Sequence, residues 1–231
     1  MLGEGLLAIW CEVDRARMDE LDEWHIHEHL AERVSIPGFL RARRYEQIGG
    51  ASTAEVTLLT LYETRTVDVL ASPAYMERLD NPTPLTRQTV PLMGRMRRSA
   101  LRLIGRRGLG VGGHLTVWQF RPAEDRLAEM GHWVEDVLAK ALEPISVTAA
   151  HMFSPEIAAT QAKDATAEGR VTDTVAVVPP WLLLVEATTE GEASDSDRVL
   201  RELVESGTDE RGVTVESYRL SITMTEPPGS Q

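Results

Sequence analysis

Asp22-Glu23-Trp24-His25-Ile26-His27-Glu28-His29 places three histidines and three carboxylates in eight consecutive residues. Imidazole titrates near neutral pH, and a carboxylate beside it can fix its tautomer and move its pKa, as a general base requires. Two chemistries compete for this run. His25-x-x-Glu28-His29 has the order of the H-x-x-E-H zinc peptidases, and residues four apart share a helix face. A catalytic zinc site still needs a third protein ligand, and no second motif supplies one. The expectation is a metal-free acid/base site that carries no cofactor.

Helical phase divides the run. At about 100° per residue, Met18, Leu21, His25, Glu28, His29 and Glu32 fall on one side, while His27 faces away. His29 is the candidate base, Glu28 or Glu32 would orient it, and His25 would assist. The plainer alternative is that both histidines only satisfy backbone groups at a sheet edge. Trp10 and Tyr45 could wall a cavity and Arg43 could hold an anionic oxygen, provided their alternating strand positions point inward.

The elements that must position these groups read as one pattern written twice. Leu6 to Val13 is an apolar strand, and a helix runs from about Ala16 to Val34 until Pro37-Gly38 stops it. Strands follow at Leu40 to Glu46 and Glu55 to Glu63, then a broken helical stretch from Thr66 to Leu79 and a strand from Ser99 to Ile104. The second half repeats the order: strand Leu115 to Phe120, helix Glu124 to Leu142, strands Ser146 to Phe153 and Trp181 to Ala187, helix Asp195 to Ser206, strand Val213 to Met224. Trp10 matches Trp118, Trp24 matches Trp133 and Pro37 matches Pro144 at near-constant spacing.

A βαββαβ order gives a four-stranded antiparallel sheet with helices on one face, the ferredoxin-like unit. Its other face needs cover, which a second unit provides. The fold class expected is α+β: two tandem ferredoxin-like repeats, residues 1–108 and 109–231, forming one pseudo-dimeric α+β barrel. Aligned on the tryptophans, His25, Glu28 and His29 become Val134, Val137 and Leu138. The first repeat is therefore the candidate active half and the second is degenerate.

Two segments fall outside the repeat. Gly105 to Gly113 is a glycine- and arginine-rich connector between the halves; within it Gly108-Leu109-Gly110-Val111-Gly112-Gly113 matches G-x-G-x-x-G, but a strand follows where a dinucleotide site needs a helix, so it reads as a linker. Pro155 to Asp173 is polar and alanine-rich and reads as a mobile excursion.

Bulk properties exclude other classes. The 231 residues are 42% hydrophobic and 26% charged, enough for a real core. A net charge of −12 argues against general nucleic-acid binding. Even so, Arg87, Arg95, Arg97, Arg98, Arg102, Arg106 and Arg107 follow one another without an intervening acid, as a solvated strand face or an anion-attracting rim. Cys11 is the single cysteine, and a buried thiol is expected. No signal peptide or membrane span is visible, so the expected location is cytoplasmic, with no membrane partner.

Glu20-Leu21-Asp22-Glu23-Trp24, Glu28-His29, Ile36-Pro37-Gly38-Phe39 and Arg43-Arg44-Tyr45 together resemble the EthD-like family of dimeric α+β barrel proteins, named after an ethyl tert-butyl ether degradation protein. Ser72-Pro73-Ala74-Tyr75 and Asn81-Pro82-Thr83-Pro84 are similar to tandem members. The resemblance implies a ligand cavity between sheet and helices, with His29 as the family's characteristic histidine and Tyr75 among the substrate contacts beside Trp10, Glu32, Arg43 and Tyr45. The wider superfamily includes cofactor-free monooxygenases, lactone isomerases, polyketide cyclases and haem enzymes. The leading expectation is a lyase, isomerase or cyclase working on an aromatic or carbonyl-containing small molecule. The alternatives are a haem- or oxygen-dependent oxidoreductase and a non-catalytic binding or accessory protein. A small-molecule ligand is the expected partner, with a homodimer as an option.

Overall fold

The structure is a computed structural model that describes residues 1–50, 52–124, 130–172, 179–190, 195–209 and 212–225. Its elements run β1 (Gly5–Asp14), α1 (Met18–Trp24), α2 (Leu30–Val34), β2 (Phe39–Gln47), β3 (Glu55–Thr64), α3 (Pro73–Asp80), α4 (Pro84–Thr89) and β4 (Gly94–Gly108). They continue as β5 (His114–Phe120), α5 (Met130–Ala141), β6 (Val147–Pro155), α6 (Ile157–Gln161), α7 (Ala167–Val171), β7 (Trp181–Ala187), α8 (Asp195–Ser206) and β8 (Thr214–Thr225). Hydrogen-bonded neighbours follow the order β1-β3-β2-β8-β5-β7-β6-β4 and close into an antiparallel barrel.

The chain divides into two compact units. The first comprises Met1–Arg102, Pro155–Pro179 and Ser221–Gln231. Here β1 pairs with β3 along its whole length and with β4 on its other side, and β2 pairs with β3. The Asp14 side chain accepts from Ala16 N, turning the chain out of β1 and into a 3-10 turn that leads to α1. Gly38, at φ 93, reverses the chain into β2. Ser72 and Thr83 cap α3 and α4 through their hydroxyls, each with a proline in the first helical turn. The helices cover one sheet face with an apolar cluster that includes Leu7, Leu30, Phe39, Tyr62, Leu70 and Tyr75.

The second unit comprises Leu103–Ser154 and Pro180–Leu220. Its core packs Trp133, Val134, Val137 and Leu138 of α5 against Trp118, Phe120, Leu183 and Val185 of the sheet, with Leu200 and Val204 of α8. Trp133 donates its indole N–H to Leu203 O, so that ring is satisfied without solvent.

Several elements differ from expectation for physical reasons. The helix expected over residues 16–34 is interrupted by a π turn at His25–His29. α4 was not anticipated; its six residues are too short to show a helical period. β4 starts at Gly94 rather than Ser99 and continues to Gly108, so part of the expected connector is strand. Residues 155–171, expected as an excursion, fold into α6, a 3-10 turn at Ala162–Ala165, and α7. Lys163 and Glu168 of this segment are buried as an ion pair, which offsets the cost of removing their charges from water, and the buried Thr166 hydroxyl donates to Lys163 O. Asp173, and residues 125–129 of the helix expected over 124–142, lie outside the described residues. Among the described residues no helix is long and apolar enough to cross a membrane.

Candidate functional site

The π turn sets the geometry. Leu30 N–H reaches back to His25 O, five residues away, and the wider turn brings positions four apart closer to alignment. His25 and His29 are both buried, and their rings stack 5.6 Å apart at 26°. Trp24 covers His29 at 4.3 Å between centroids. Its indole N–H donates to Thr86 Oγ1 of α4, which locks the ring in place. His27 is exposed, as helical phase predicts.

The two histidines have different surroundings. Arg44 Nη1 lies 3.3 Å from His25 Nδ1, so that nitrogen accepts and a neutral ring carries its proton on Nε2. Arg44 also pairs with Asp22 at 2.7 Å. Burial first, and then the Arg44 and Arg33 charges, lower the His25 pKa to about 3. His29 is held well below the ordinary imidazole value by burial, reinforced by Arg33, His25 and Lys163. His29 Nδ1 is buried and has no hydrogen-bond partner. A neutral ring with its proton on Nε2 would present a bare lone pair there.

That nitrogen's ring borders a cavity of about 20 Å³ whose lining includes the apolar Ile9, Met93 and Met96 and the polar His25, Thr60, Tyr62, Lys163 and Glu168. The space holds roughly one water. Lys163 Nζ stands 3.0 Å from Glu168 Oε1, and Glu168 Oε2 accepts from Arg33 Nη2 at 2.6 Å. Burial alone would raise the Glu168 carboxyl, but Lys163 and Arg33 outweigh it and hold the pKa below the usual range. Burial pushes the Tyr62 hydroxyl upward, so it stays protonated. Thr60, Tyr62, Lys163 and Glu168 escaped the sequence reading. Lys163 and Glu168 carry no local signal, because their segment reads as polar and solvated.

The sequence candidates are only partly assembled. Glu28 does not reach His29: it accepts from Thr83 Oγ1 at 2.5 Å and, more weakly, from Thr86 Oγ1, tying α4 to the π turn. Glu32 pairs with Arg33 and Arg78 rather than with a histidine. Tyr75 is buried against Phe39 at 5.2 Å, with the Arg33 guanidinium over its ring. Trp10, Arg43 and Tyr45 occupy the opposite sheet face from the histidines. Register shows this directly: Ala42 pairs with Tyr62 and Arg44 with Thr60 on the helix side, so Arg43 and Tyr45 alternate away. Arg43 bonds Glu63 at 3.0 Å and Tyr45 Oη at 2.6 Å. Burial would raise the Glu63 carboxyl, but Arg43 and Arg41 together keep it low. Trp10 lies under the Arg97 guanidinium on that same face. Cys11 is buried and its thiol is pushed up to about 12 by desolvation, which makes it inert.

Among the described residues no group of three or more His, Cys, Asp or Glu side chains is placed to hold a metal ion. A haem does not fit beside either imidazole. The adjoining space is about 20 Å³ and Trp24 already covers one ring.

No family model matches the sequence, and no curated protein matches it. Solved structures do resemble the fold. A Fusobacterium nucleatum protein described as a candidate monooxygenase superposes with a TM-score of 0.56 at 6% identity, covering 98% of this chain and 96% of that one. An anthrone oxidase-like protein gives 0.63 at 8% identity, over 96% and 93%. A mutant chlorite dismutase from Candidatus Nitrospira defluvii, in complex with cyanide, gives 0.52 at 10%, over 96% and 92%. The chain has the ferredoxin-like α+β barrel fold. At these identities the likeness concerns the fold alone.

Proposed function

We propose that the protein is a small-molecule enzyme of the lyase, isomerase or cyclase type, with His29 as a metal-free general base toward an aromatic or carbonyl-containing substrate. The observation that carries this reading is His29 Nδ1, buried, without a partner, in a ring that borders a cavity also lined by Lys163 and Glu168. A base with a depressed pKa is deprotonated throughout the physiological range, but it binds a proton weakly. It suits a reaction in which an anion forms beside the new imidazolium. The Lys163 ammonium is placed to stabilise that anion, and the pair of charges offsets the burial that disfavours either alone. His25, fixed by Arg44, holds the His29 ring by stacking.

The cavity as it stands admits no aromatic ring, so substrate entry requires the 157–171 segment or α4 to move. In this reading the family tie is to EthD-like proteins, and residues 1–108 and 109–231 are tandem copies of one pattern, the first being the working half that carries His29 while Lys163 and Glu168 come from the later 157–171 segment. Val134, Val137 and Leu138, which take the places of His25, Glu28 and His29, are buried among apolar side chains and leave the second copy no polar group there.

The test is turnover across a panel of enolisable aromatic ketones and phenolic lactones. His29→Gln should lower kcat by about 10²-fold or more, the usual contribution of a positioned base. Unchanged turnover in that variant on an accepted substrate would rule His29 out.

A second reading has its own support. The cavity has the size of one small diatomic molecule and an apolar wall of Ile9, Val90, Met93 and Met96. Proteins described as monooxygenase and anthrone oxidase-like share the fold. Oxygen-dependent oxidation of the deprotonated substrate would consume dioxygen in step with turnover, which an oxygen electrode distinguishes from isomerisation. A pure binding role would appear as tight ligand binding with no product.

A further inference from the structure

Arg98 is the strongest unexplained group in the molecule. Its Cα pairs with Ile9 in β1, and it lies between Met96 and Ala100 on the same face of β4. Ile9 and Met96 both line the His29 cavity; Arg98, paired with the first and two residues from the second on the same strand face, stands next to that lining rather than in it. The side chain is 7% exposed. Its Nη1 is fully used, donating to Ala159 O at 3.0 Å and Thr160 O at 2.6 Å at the end of α6. Nε and Nη2 are buried and have no hydrogen-bond partner.

Those two nitrogens form one edge of the guanidinium. A carboxylate, with two coplanar oxygens, matches that edge in the bidentate arrangement for which arginine is suited. Leaving a buried guanidinium with its free edge unmet is costly, and a native structure rarely tolerates it without a water, an ion or a ligand. Local charge agrees. At the 157–171 segment Arg33 and Lys163 pair with one buried carboxylate, Glu168, and the Arg98 charge also acts on it. Glu32 contributes from the rim, already shared between Arg33 and Arg78.

We propose that Arg98 and Lys163 form an anion-binding subsite of the His29 cavity, and that the substrate carries a carboxylate seated on the free Nε/Nη2 edge of Arg98. This deepens the acid/base reading and rests on it for the word substrate. Arg98 is then a binding residue that also pins α6, so the segment closes over a bound acid. The sequence signal was the acid-free arginine run, of which this member is turned inward by strand alternation.

Isothermal titration of the full chain with acetate and benzoate, each beside its neutral amide, tests the subsite. At least one acid should bind at a single site, about tenfold or more tighter than its amide, as charge-assisted bidentate hydrogen bonds predict. Arg98→Lys keeps the charge and loses the fork, and should weaken that acid by about tenfold while the amide is unaffected. Equal binding of acid and amide, no binding of either acid, or undiminished binding in Arg98→Lys would each overturn the proposal. Should Arg98→Lys fail to fold, the wild-type protein soaked in 4-bromobenzoate decides: bromine density with the carboxylate on Arg98 supports the subsite, and its absence sinks it. His29→Gln should keep acid binding. Loss of the subsite with His29-dependent turnover intact leaves the catalytic reading standing, and the reverse pattern leaves the subsite standing alone.

Discussion

Arg33 and Glu168 are 135 positions apart and meet in a buried ion pair of 2.6 Å, with Lys163 on the other oxygen of the same carboxylate. Arg33 belongs to α2, which continues directly from the π turn that carries the histidines, and Glu168 to a segment inserted between β6 and β7. The pair joins the candidate base to the element that covers it.

Removing the carboxylate should therefore unsettle the cap. Glu168→Gln leaves the buried Lys163 without its counter-charge and Arg33 with Glu32 alone, and should cost about 3–5 kcal/mol of stability, the usual penalty for breaking a buried pair. Urea denaturation measures it. A loss below about 1 kcal/mol would mean that the segment opens to solvent at little cost.

Acid should destabilise the fold well before the carboxylates titrate. His25 and His29 have folded pKa values below the ordinary 6.5, that of His25 near 3, so the unfolded chain binds more protons once pH falls below 6.5. Their contribution is fully present above the unfolded pKa and declines as pH drops from 6.5 toward the folded values, by up to about 1.4 kcal/mol per pH unit for each group. Thermal melts at pH 7 and pH 5 should show Tm falling, and His25→Phe should flatten the slope. Glu168 and Glu63 act in the same direction, but only below the usual carboxylate range, outside this window.

Glu28 should prove a fastener rather than a proton carrier. Its carboxylate receives the hydroxyls of Thr83 and Thr86, which cap and pack α4. Glu28→Ala should cost about 1–2 kcal/mol in denaturant, as for a lost charged hydrogen bond, and leave the pH profile of turnover in place. His27→Ala, at an exposed position, should change stability by no more than about 0.5 kcal/mol.

Gly38 should not tolerate a side chain. It sits at φ 93, and a Cβ there would approach Val69 Cγ2 to 2.7 Å. Gly38→Ala should destabilise by about 1–3 kcal/mol through strain and crowding together, read by the same denaturation.

Much of the architecture was legible in local order. Pro37-Gly38 marks a helix end because glycine alone adopts that turn freely, and period-two apolar runs mark β1 and β3 because alternation buries one face. His25 and His29 belong on the covered side of their helix by spacing alone, with His27 outside. Trp10, Arg43 and Tyr45 were misleading for the same reason: alternation shows that they share a face, but not which face meets the helices. Only pairing Arg44 with His25 across the sheet–helix layer decides that.

By itself, then, the chain determined most of its strands and its longer helices, and the concentration of titratable groups in one helical run, since each depends on neighbours within a few residues. Tertiary structure decided what those groups can do. The π turn aligned the two imidazoles, and burial holds both rings neutral. A segment that reads as a polar excursion delivered Lys163 and Glu168 to the cavity, and strand alternation turned Arg98 inward beside it. Contacts of that range carry no local period, because they form only when distant segments exclude water together and their charges must then satisfy one another.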